Sequence, residues 1–153
     1  MSIRVLFLSR SNAARSQIAE YLLNAMGRGR FEAVSAGNAP QPIDPLAIRI
    51  LDEARIDARG ALSKPLESLG DARFDYIINI CDESSASCPG ARTDCPSLPG
   101  RTSNGCWGFG QRPSCEAGEE EALAYLRRVR DQTLNRLRIW MAAVDKPAAH
   151  GAA

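Results

Sequence analysis

The chain has 153 residues, of which 44% are hydrophobic and 24% are charged, with a formal net charge of +1. These values suit one soluble domain with a sizeable core, and the near-neutral charge excludes a global field that attracts nucleic acid or anionic membranes. The sequence contains no signal-peptide pattern and no apolar run of membrane-spanning length. We therefore expect a cytoplasmic protein that binds neither membranes nor nucleic acid.

The first half of the chain alternates between predicted strands and helices. A nearly continuous apolar run predicts a strand over residues 3–8, and apolar residues at helical spacing then predict a helix that ends near Gly27. A second strand is predicted over residues 31–36. Asp44 and Pro45 predict the start of a second helix, because aspartate is a favoured N-cap and proline suits the first helical position.

The next elements complete a βα pattern. Residues 63–65 predict the start of a short helix through Leu69, and an apolar run over 74–80 predicts a third strand that ends at Cys81. Strands that alternate with helices predict an α/β fold with a central parallel sheet covered on both faces. Ligands bind at the carboxyl ends of the strands in such sheets, and Ser9 and Cys81 both fall at predicted strand ends.

The last third of the chain divides into three parts. Residues 82–118 are rich in Pro, Gly, Ser and Cys and predict a long irregular segment, which is unusual in a compact domain unless it is functional. Glu119–Val144 predicts a long closing helix. We expect a single domain over residues 1–144 and a disordered tail over 145–153.

The segment that joins the first strand to the first helix predicts an oxyanion cradle. Such a junction brings successive backbone N–H groups around one point, where the helix N-terminus adds partial positive charge. Arg15 adds a planar fork of donors, Asn12 tolerates a left-handed backbone, and Ser16 can donate toward position 9. The alternative is an ordinary βα turn with helix-start residues and a surface arginine. The predicted oxyanion-binding residues are Ser9, Arg10, Ser11, Asn12, Ala13, Ala14, Arg15 and Ser16.

All five cysteines lie between positions 81 and 115. An odd number of cysteines without a secretion signal favours redox or metal chemistry over structural disulfides. Cys81 and Cys88 are candidate reactive thiols, although two inert buried thiols are the alternative. Because the spacings lack paired CxxC motifs, we predict no metal site. Cys95, Cys106 and Cys115 have no assigned role.

The cradle resembles the phosphate-binding loop of the low-molecular-weight protein tyrosine phosphatases and of the thioredoxin-coupled arsenate reductases built on the same fold. That pattern is a Cys, five residues, an Arg, and then Ser or Thr. It matches Ser9 to Ser16, with Ser9 in place of the nucleophilic Cys. The resemblance covers most of the chain, and it implies a flavodoxin-like three-layer fold with the phosphatase-type loop after the first strand.

The segment from Cys81 to Cys88 is similar to the redox segment of those reductases. In the family, the loop thiolate attacks arsenate, the Cys matching Cys81 attacks the loop Cys and releases arsenite, and the Cys matching Cys88 captures it. The resulting disulfide is reduced by thioredoxin. The resemblance therefore implies arsenate or phosphate as ligand, thioredoxin as electron donor and no tightly bound cofactor. Tyrosine phosphatases do not need the two extra thiols.

Ser9 departs from the family in a way that affects turnover. A serine cannot form the mixed disulfide on which the reduction cycle depends, and the one histidine, His150, lies in the predicted tail, where it cannot serve as a base. Ser9 is either an engineered substitution that traps a bound state or a natural residue of a protein that binds without turnover. A third possibility is that Cys81 is the first nucleophile and Cys88 resolves it.

Residues 106–113 resemble the reductase segment His-Trp-Gly-Phe-Asp-Asp-Pro, in which an Asp before Pro is the general acid. In this chain Gly110, Gln111 and Arg112 fill that place, and none of them is a usable proton donor at neutral pH. Since one engineered change does not remove both groups, the missing Asp favours a natural Ser9. Trp107 and Phe109 are predicted to wall the site, or alternatively to belong to the core.

Some reductases of this family bind potassium beside the cradle through an Asn, a Glu, a Ser and an Asp. Asn12, Glu20 and Ser35 match the first three residues, and Lys64 stands where the Asp belongs. Because the ammonium group of Lys64 can replace the ion, we predict no potassium site.

Three functional classes remain open from the sequence. The first is a thioredoxin-coupled arsenate reductase that uses Arg15, Cys81 and Cys88 around the Ser9 position. The second is a non-catalytic protein with a regulatory or carrier role that binds an oxyanion, or binds arsenite through its soft thiolates. The third is a tyrosine phosphatase, which the missing Cys and the missing Asp both oppose.

Overall fold

The structure is a computed structural model that describes residues 2–83, 105–111 and 118–144, with only the backbone described at 81–83, 105–106 and 109–111. Cys88, Cys95, Cys115 and the predicted tail over 145–153 lie outside the described residues. The domain bounds expected from the sequence stay a prediction.

The described residues form four strands and three helices. The strands are β1 (Ile3–Ser9), β2 (Phe31–Gly37), β3 (Tyr76–Glu83) and β4 (Gly105–Gln111). The helices are α1 (Arg15–Gly27), α2 (Pro45–Glu53) and α3 (Glu119–Val144), and a 3₁₀ turn spans Leu66–Leu69. The first two predicted strands and the three long predicted helices are confirmed. Asp44 caps α2 as expected, because its Oδ1 accepts a hydrogen bond from the N–H of Leu46 at 2.9 Å.

The strands form one parallel sheet in the order β2-β1-β3-β4. From β1 the chain moves outward to β2 and then crosses back to place β3 on the other side of β1. This order is that of a flavodoxin-like doubly wound sheet, and its switch point lies beside β1. The predicted α/β fold with a central parallel sheet is confirmed.

Two predictions for the second half of the sheet were wrong. β3 begins at Tyr76 and continues through Cys81 to Glu83, so Cys81 lies inside the strand instead of ending it. β4 lies within the segment predicted to be irregular. Its glycines have low strand propensity, but pairing with β3 along Gly105–Gln111 supplies the backbone hydrogen bonds that make it a strand.

Alternation along β1 divides the core between the two faces of the sheet. Val5 and Phe7 join the larger cluster, which packs against all three helices. Leu6 and Leu8 join a smaller cluster on the other face, under the 3₁₀ turn. All four side chains are fully buried, and each contributes about 1.5–3 kcal/mol to folding. β1 is therefore a firmly packed support for the loop that follows it.

Candidate functional site

Ser9 ends β1 at the switch point of the sheet. It pairs with Gly37, the last residue of β2, while β3 lies on the opposite side of β1. The loop over residues 9–16, here called the cradle, leads from the carboxyl end of β1 into the first turn of α1. The cradle thus occupies the place where doubly wound sheets bind their ligands.

The carbonyl oxygens of four consecutive cradle residues accept hydrogen bonds from outside the cradle. In chain order, the pairs are Arg10 O with Ala39 N (2.9 Å), Ser11 O with Gln41 N (2.9 Å), Asn12 O with Ser63 Oγ (2.7 Å) and Ala13 O with Asp44 N (3.0 Å). Across a trans peptide plane, the next N–H points away from the carbonyl. The N–H groups of residues 11–14 therefore face the inner side of the loop.

One hydrogen bond of Asn12 agrees with this inward orientation. Its backbone N–H donates to Ser9 Oγ at 3.1 Å, across the inside of the cradle. Asn12 has a positive φ of 51°, the left-handed conformation that asparagine adopts more readily than most residues. The role expected for Asn12 in shaping the loop is thus consistent with the backbone that the structure describes.

The hydroxyl groups of Ser9 and Ser16 meet inside the loop. Their oxygen atoms are 2.6 Å apart, and Asn12 Nδ2 donates to Ser16 Oγ at 2.9 Å. Ser9 is 2% exposed and Ser16 is fully buried. The predicted contact between position 16 and position 9 is therefore present, and it holds the Ser9 side chain in one place.

Positive charge also gathers at the cradle. Arg15 is the first residue of α1 and is only 6% exposed. The first turn of α1 has no acidic residue, and Ala14 gives it no side-chain cap. No acidic side chain of that turn therefore offsets the partial positive charge of the helix N-terminus. That a tetrahedral anion binds to this arrangement stays a prediction.

The three residues matched to a potassium site, Asn12, Glu20 and Ser35, lie together with Lys64 beside the cradle. Glu20 Oε1 accepts hydrogen bonds from Ser35 Oγ at 2.8 Å and from Lys64 Nζ at 3.4 Å. The same Nζ atom donates to Leu62 O at 3.1 Å, and the backbone N–H of Lys64 donates to Asn12 Oδ1 at 2.8 Å. The ammonium group thus lies among oxygen acceptors, as expected for a built-in cation.

In the structure Cys81 lies near Ser9 along the sheet, toward the carboxyl ends of the strands. Asn79 pairs with Leu8, and Cys81 is two residues further along β3. Only the backbone of Cys81 is described, and Cys88 lies outside the described residues. Their role as a redox pair stays a prediction. Among the residues that the structure describes, no group of three or more His, Cys, Asp or Glu side chains is arranged to hold a metal.

Trp107 packs in the larger core cluster and is 9% exposed. Its ring centroid lies 6.0 Å from that of Phe7 and 6.4 Å from that of Trp140, and the Arg136 guanidinium lies 5.5 Å from the indole. These are core contacts, and its predicted role as a wall of the site stays a prediction. Phe109 lies in β4, but its side chain is outside the described part.

Two supports of the cradle were missed in the sequence. Gln17 is 1% exposed, and its Nε2 donates to Asn12 O at 3.0 Å and to Leu62 O at 2.8 Å. Its one signal is its position one helical turn before Tyr21, on the side of α1 predicted to be buried. Gly37 is the second support, because a Cβ atom there would lie 2.5 Å from Arg10 O. Only the close approach of two backbone segments in the fold shows that position 37 requires a residue without a Cβ atom.

No helix in the described ranges has the length and apolar character needed to cross a membrane.

The parallel sheet has this strand order, and the loop after β1 turns its N–H groups inward. These two features together are characteristic of one family of α/β proteins. The model of the family "Low molecular weight phosphotyrosine protein phosphatase" matches residues 4–95, and the chain belongs to this family.

Within that family, the relatives point to the arsenate reductases. The chain is 30% identical over 134 residues to "Arsenate reductase" of Bacillus subtilis (strain 168), covering 88% of this chain and 91% of the relative. A solved structure titled "An arsenate reductase in the phosphate binding state" is 26% identical, with a TM-score of 0.67 over 92% of this chain and 98% of that one. A thioredoxin-dependent arsenate reductase of Corynebacterium glutamicum is also 26% identical, with a TM-score of 0.62 over 94% of this chain and 62% of that one.

Proposed function

We propose that this chain is an arsenate reductase-like protein that binds arsenate or phosphate in the cradle over residues 9–16. The observation that carries the proposal is the outward orientation of four consecutive cradle carbonyls, which directs the N–H groups of residues 11–14 inward. Arg15 and the uncapped start of α1 add positive charge at the same point. A relative solved in a phosphate-binding state supports this ligand class.

In this proposal Arg15 binds the oxyanion and Ser9 lies at its base. Two neighbouring oxygens of arsenate or phosphate match the planar guanidinium fork, which holds the anion in one orientation. Ser9 stands where the resemblance implies a nucleophilic Cys. The hydroxyl is far harder to ionise than a thiol, and no neighbouring base is available among the described residues. Reduction that starts at position 9 is therefore not expected from this chain.

A reductive route without Ser9 has to use the two thiols predicted as a pair. In that route the Cys81 thiolate attacks arsenic and displaces an oxygen, which leaves as water after proton transfer. The Cys88 thiolate then attacks the Cys81 sulfur, and the electron pair of the sulfur–arsenic bond reduces arsenic to arsenite. The Cys81–Cys88 disulfide is reduced by the dithiol of thioredoxin. Cys81 and Ser9 both lie toward the carboxyl ends of neighbouring strands, and this position supports the route.

A second candidate function is oxyanion binding without turnover, in a regulatory or carrier role. It is favoured by Ser9 itself, whose oxygen already contacts the Asn12 N–H and the Ser16 hydroxyl. Arsenite binding by the clustered cysteines is a variant of this function. Tyrosine phosphatase activity is the third candidate, and it requires both a covalent nucleophile and a general acid, which the sequence lacks at the matching positions.

The test is arsenate-dependent NADPH oxidation with thioredoxin and thioredoxin reductase, measured for this chain, for Ser9→Cys and for Cys81→Ser. Turnover by Ser9→Cys alone identifies a reductase scaffold that lacks its nucleophile. Turnover by the unmodified chain that is lost in Cys81→Ser supports the route through Cys81. If neither the chain nor Ser9→Cys turns over, while both bind arsenate in a calorimeter, the non-catalytic function replaces the reductase.

A further inference from the structure

Arg10, the second residue of the cradle, is half-buried, and its guanidinium has no hydrogen bond, ion pair or ring contact within the described residues. Several other arginines pair with a carboxylate, as Arg127 does with Glu53, or lie over an aromatic ring. The remaining described arginines whose side chains have no such partner are exposed, namely Arg28, Arg55, Arg73 and Arg138. A charged group that is partly removed from water without an opposite charge is costly. We therefore expect the anion that pairs with Arg10 to come from a ligand.

Arg10 and Arg15 belong to opposite sides of the cradle. Side chains alternate along β1, and Leu8 joins the core cluster on the face of the sheet away from the three helices. Ser9 follows on the helix side, where its hydroxyl meets that of Ser16 in α1. Continuing this alternation by one residue places Arg10 on the face of Leu8. Arg15, the first residue of α1, lies on the other side.

The acidic residues that the structure places beside the cradle are engaged by other groups. Glu20 pairs with Lys64, and the side chain of Asp44 caps α2. The segment over residues 38–43, which donates a hydrogen bond to the carbonyl of Arg10, contains no charged residue. Neither these acids nor this segment offsets the charge of Arg10, so this charge remains for a bound anion.

A single oxyanion in the cradle already has its donors without Arg10. The N–H groups of residues 11–14 face inward, and Arg15 and the start of α1 supply positive charge from the helix side. Arg10 stands on the opposite side and is more exposed than Arg15, which is 6% exposed. A second anionic group, joined to the first and directed away from α1, is therefore the group that meets Arg10. The planar guanidinium fork suits a second phosphate.

We infer that Arg10 is a specificity-determining residue, which binds a second anionic group attached to the oxyanion that lies in the cradle. The ligand class is thus a phosphate that carries a further negative group. Inorganic pyrophosphate is its simplest member, and a nucleoside diphosphate presents the same pair of charges. The inference rests on the proposed oxyanion binding at the cradle, and it extends the ligand class beyond a lone arsenate or phosphate ion.

The test is isothermal titration calorimetry of the full chain with phosphate, pyrophosphate and ADP, in buffer without divalent cations. An ionic strength of about 0.15 M screens the long-range effect of a single charge. Arg10→Met keeps an unbranched side chain and removes the guanidinium. We expect this variant to raise the pyrophosphate Kd about 10-fold, the effect of one lost charge-assisted contact. The phosphate Kd should change less than about 2-fold, because a lone ion does not reach Arg10 and the remaining charge effect is screened.

The matched control is Arg138→Met, which removes the same charge from the exposed side of α3 and should leave every Kd unchanged. Trp140, two residues further along α3, packs against Phe31 and Tyr76 at the amino ends of β2 and β3, the end of the sheet opposite the cradle. Circular dichroism and the Tm report whether each variant folds. If Arg10→Met does not fold, Arg10→Lys replaces it, since lysine keeps the charge but loses the fork and should still weaken pyrophosphate binding selectively.

The outcomes separate this inference from the proposed function. A selective loss of pyrophosphate affinity in Arg10→Met supports the inference; the same loss with ADP extends it to diphosphate esters, and ADP that does not bind restricts it to the free ion. An equal rise of the phosphate and pyrophosphate Kd, an unchanged pyrophosphate Kd, or no pyrophosphate binding overturns the inference, while phosphate binding by the unmodified chain leaves the proposed function intact. No phosphate binding by the unmodified chain overturns both.

Discussion

Gly37→Ala is expected to disturb the cradle from the neighbouring strand. A Cβ atom at position 37 would lie 2.5 Å from Arg10 O and 2.7 Å from Ser9 O. Both atoms belong to the backbone, so the clash cannot be relieved by a side-chain rotation. Gly37 is also held from the other side, because its N–H donates to Lys64 O at 2.9 Å. Either β2 or the start of the cradle has to move.

The expected loss in free energy of unfolding has two parts, overpacking and one strained or broken hydrogen bond. Overpacking costs about 1–3 kcal/mol and a lost hydrogen bond adds about 1 kcal/mol. We expect Gly37→Ala to lower the free energy of unfolding by about 2–4 kcal/mol, which corresponds to a Tm lowered by roughly 5–15 °C. Displacement of Arg10 O also turns the next N–H away from the ligand, so the phosphate Kd should rise at least about 10-fold.

The assay pairs thermal unfolding with phosphate calorimetry, and Gly60→Ala is the matched control. A Cβ atom at position 60 meets no described atom within 4 Å, so this change should leave the Tm and the Kd nearly unaltered. A Gly37→Ala variant with the stability and affinity of the unmodified chain would refute the close packing of β2 against the cradle.

Three further predictions concern single residues. Arg15→Lys keeps the charge but loses the planar fork, so calorimetry should show an arsenate Kd raised about 10-fold; an unchanged Kd would place the anion away from Arg15. In Ser9→Cys, the Asn12 N–H and the Ser16 hydroxyl should stabilise a thiolate and bring the new thiol's pKa below about 8.5, as judged from the ultraviolet thiolate absorbance of the variant minus that of the unmodified chain; a higher pKa contradicts the network. The hydrogen bond from Arg127, aided by Arg130, lowers the pKa of Glu53 to about 2. The ionised carboxylate therefore stabilises the fold at pH values above its ordinary pKa, and this stabilisation is lost as the pH falls through about 2. Urea unfolding should show Glu53→Gln to be less stable at neutral pH, with the difference shrinking toward pH 2, and a difference that grows on acidification would contradict it.

Most of the fold could be predicted because its patterns are local. The apolar run of β1 and the Asp44-Pro45 start of α2 depend on neighbouring residues, and both appear where they were predicted. β4 could not be predicted in this way, since the backbone of β3 rather than its own glycines makes it a strand. The same long-range pairing carries β3 past Cys81.

The cradle shows the same division between local and distant causes. The shape of the loop and the contact between Ser9 and Ser16 were accessible from residue types and spacing. The supports from Gly37 and Gln17 were not, because each depends on a segment that is distant in sequence. The Leu62 carbonyl, for example, meets Gln17 across 45 positions of the chain. The residue pattern along one helix cannot predict that contact.

The central claim is that an oxyanion binds to the inward-facing N–H groups of the cradle. It is tested most directly by titrating ¹⁵N-labelled protein with phosphate and with arsenate while following the backbone amide resonances. We expect the amides of residues 11–14 to shift together, with one saturable Kd for each anion. Shifts confined to the arginines of α3, or no saturable shift in the cradle, would contradict the claim.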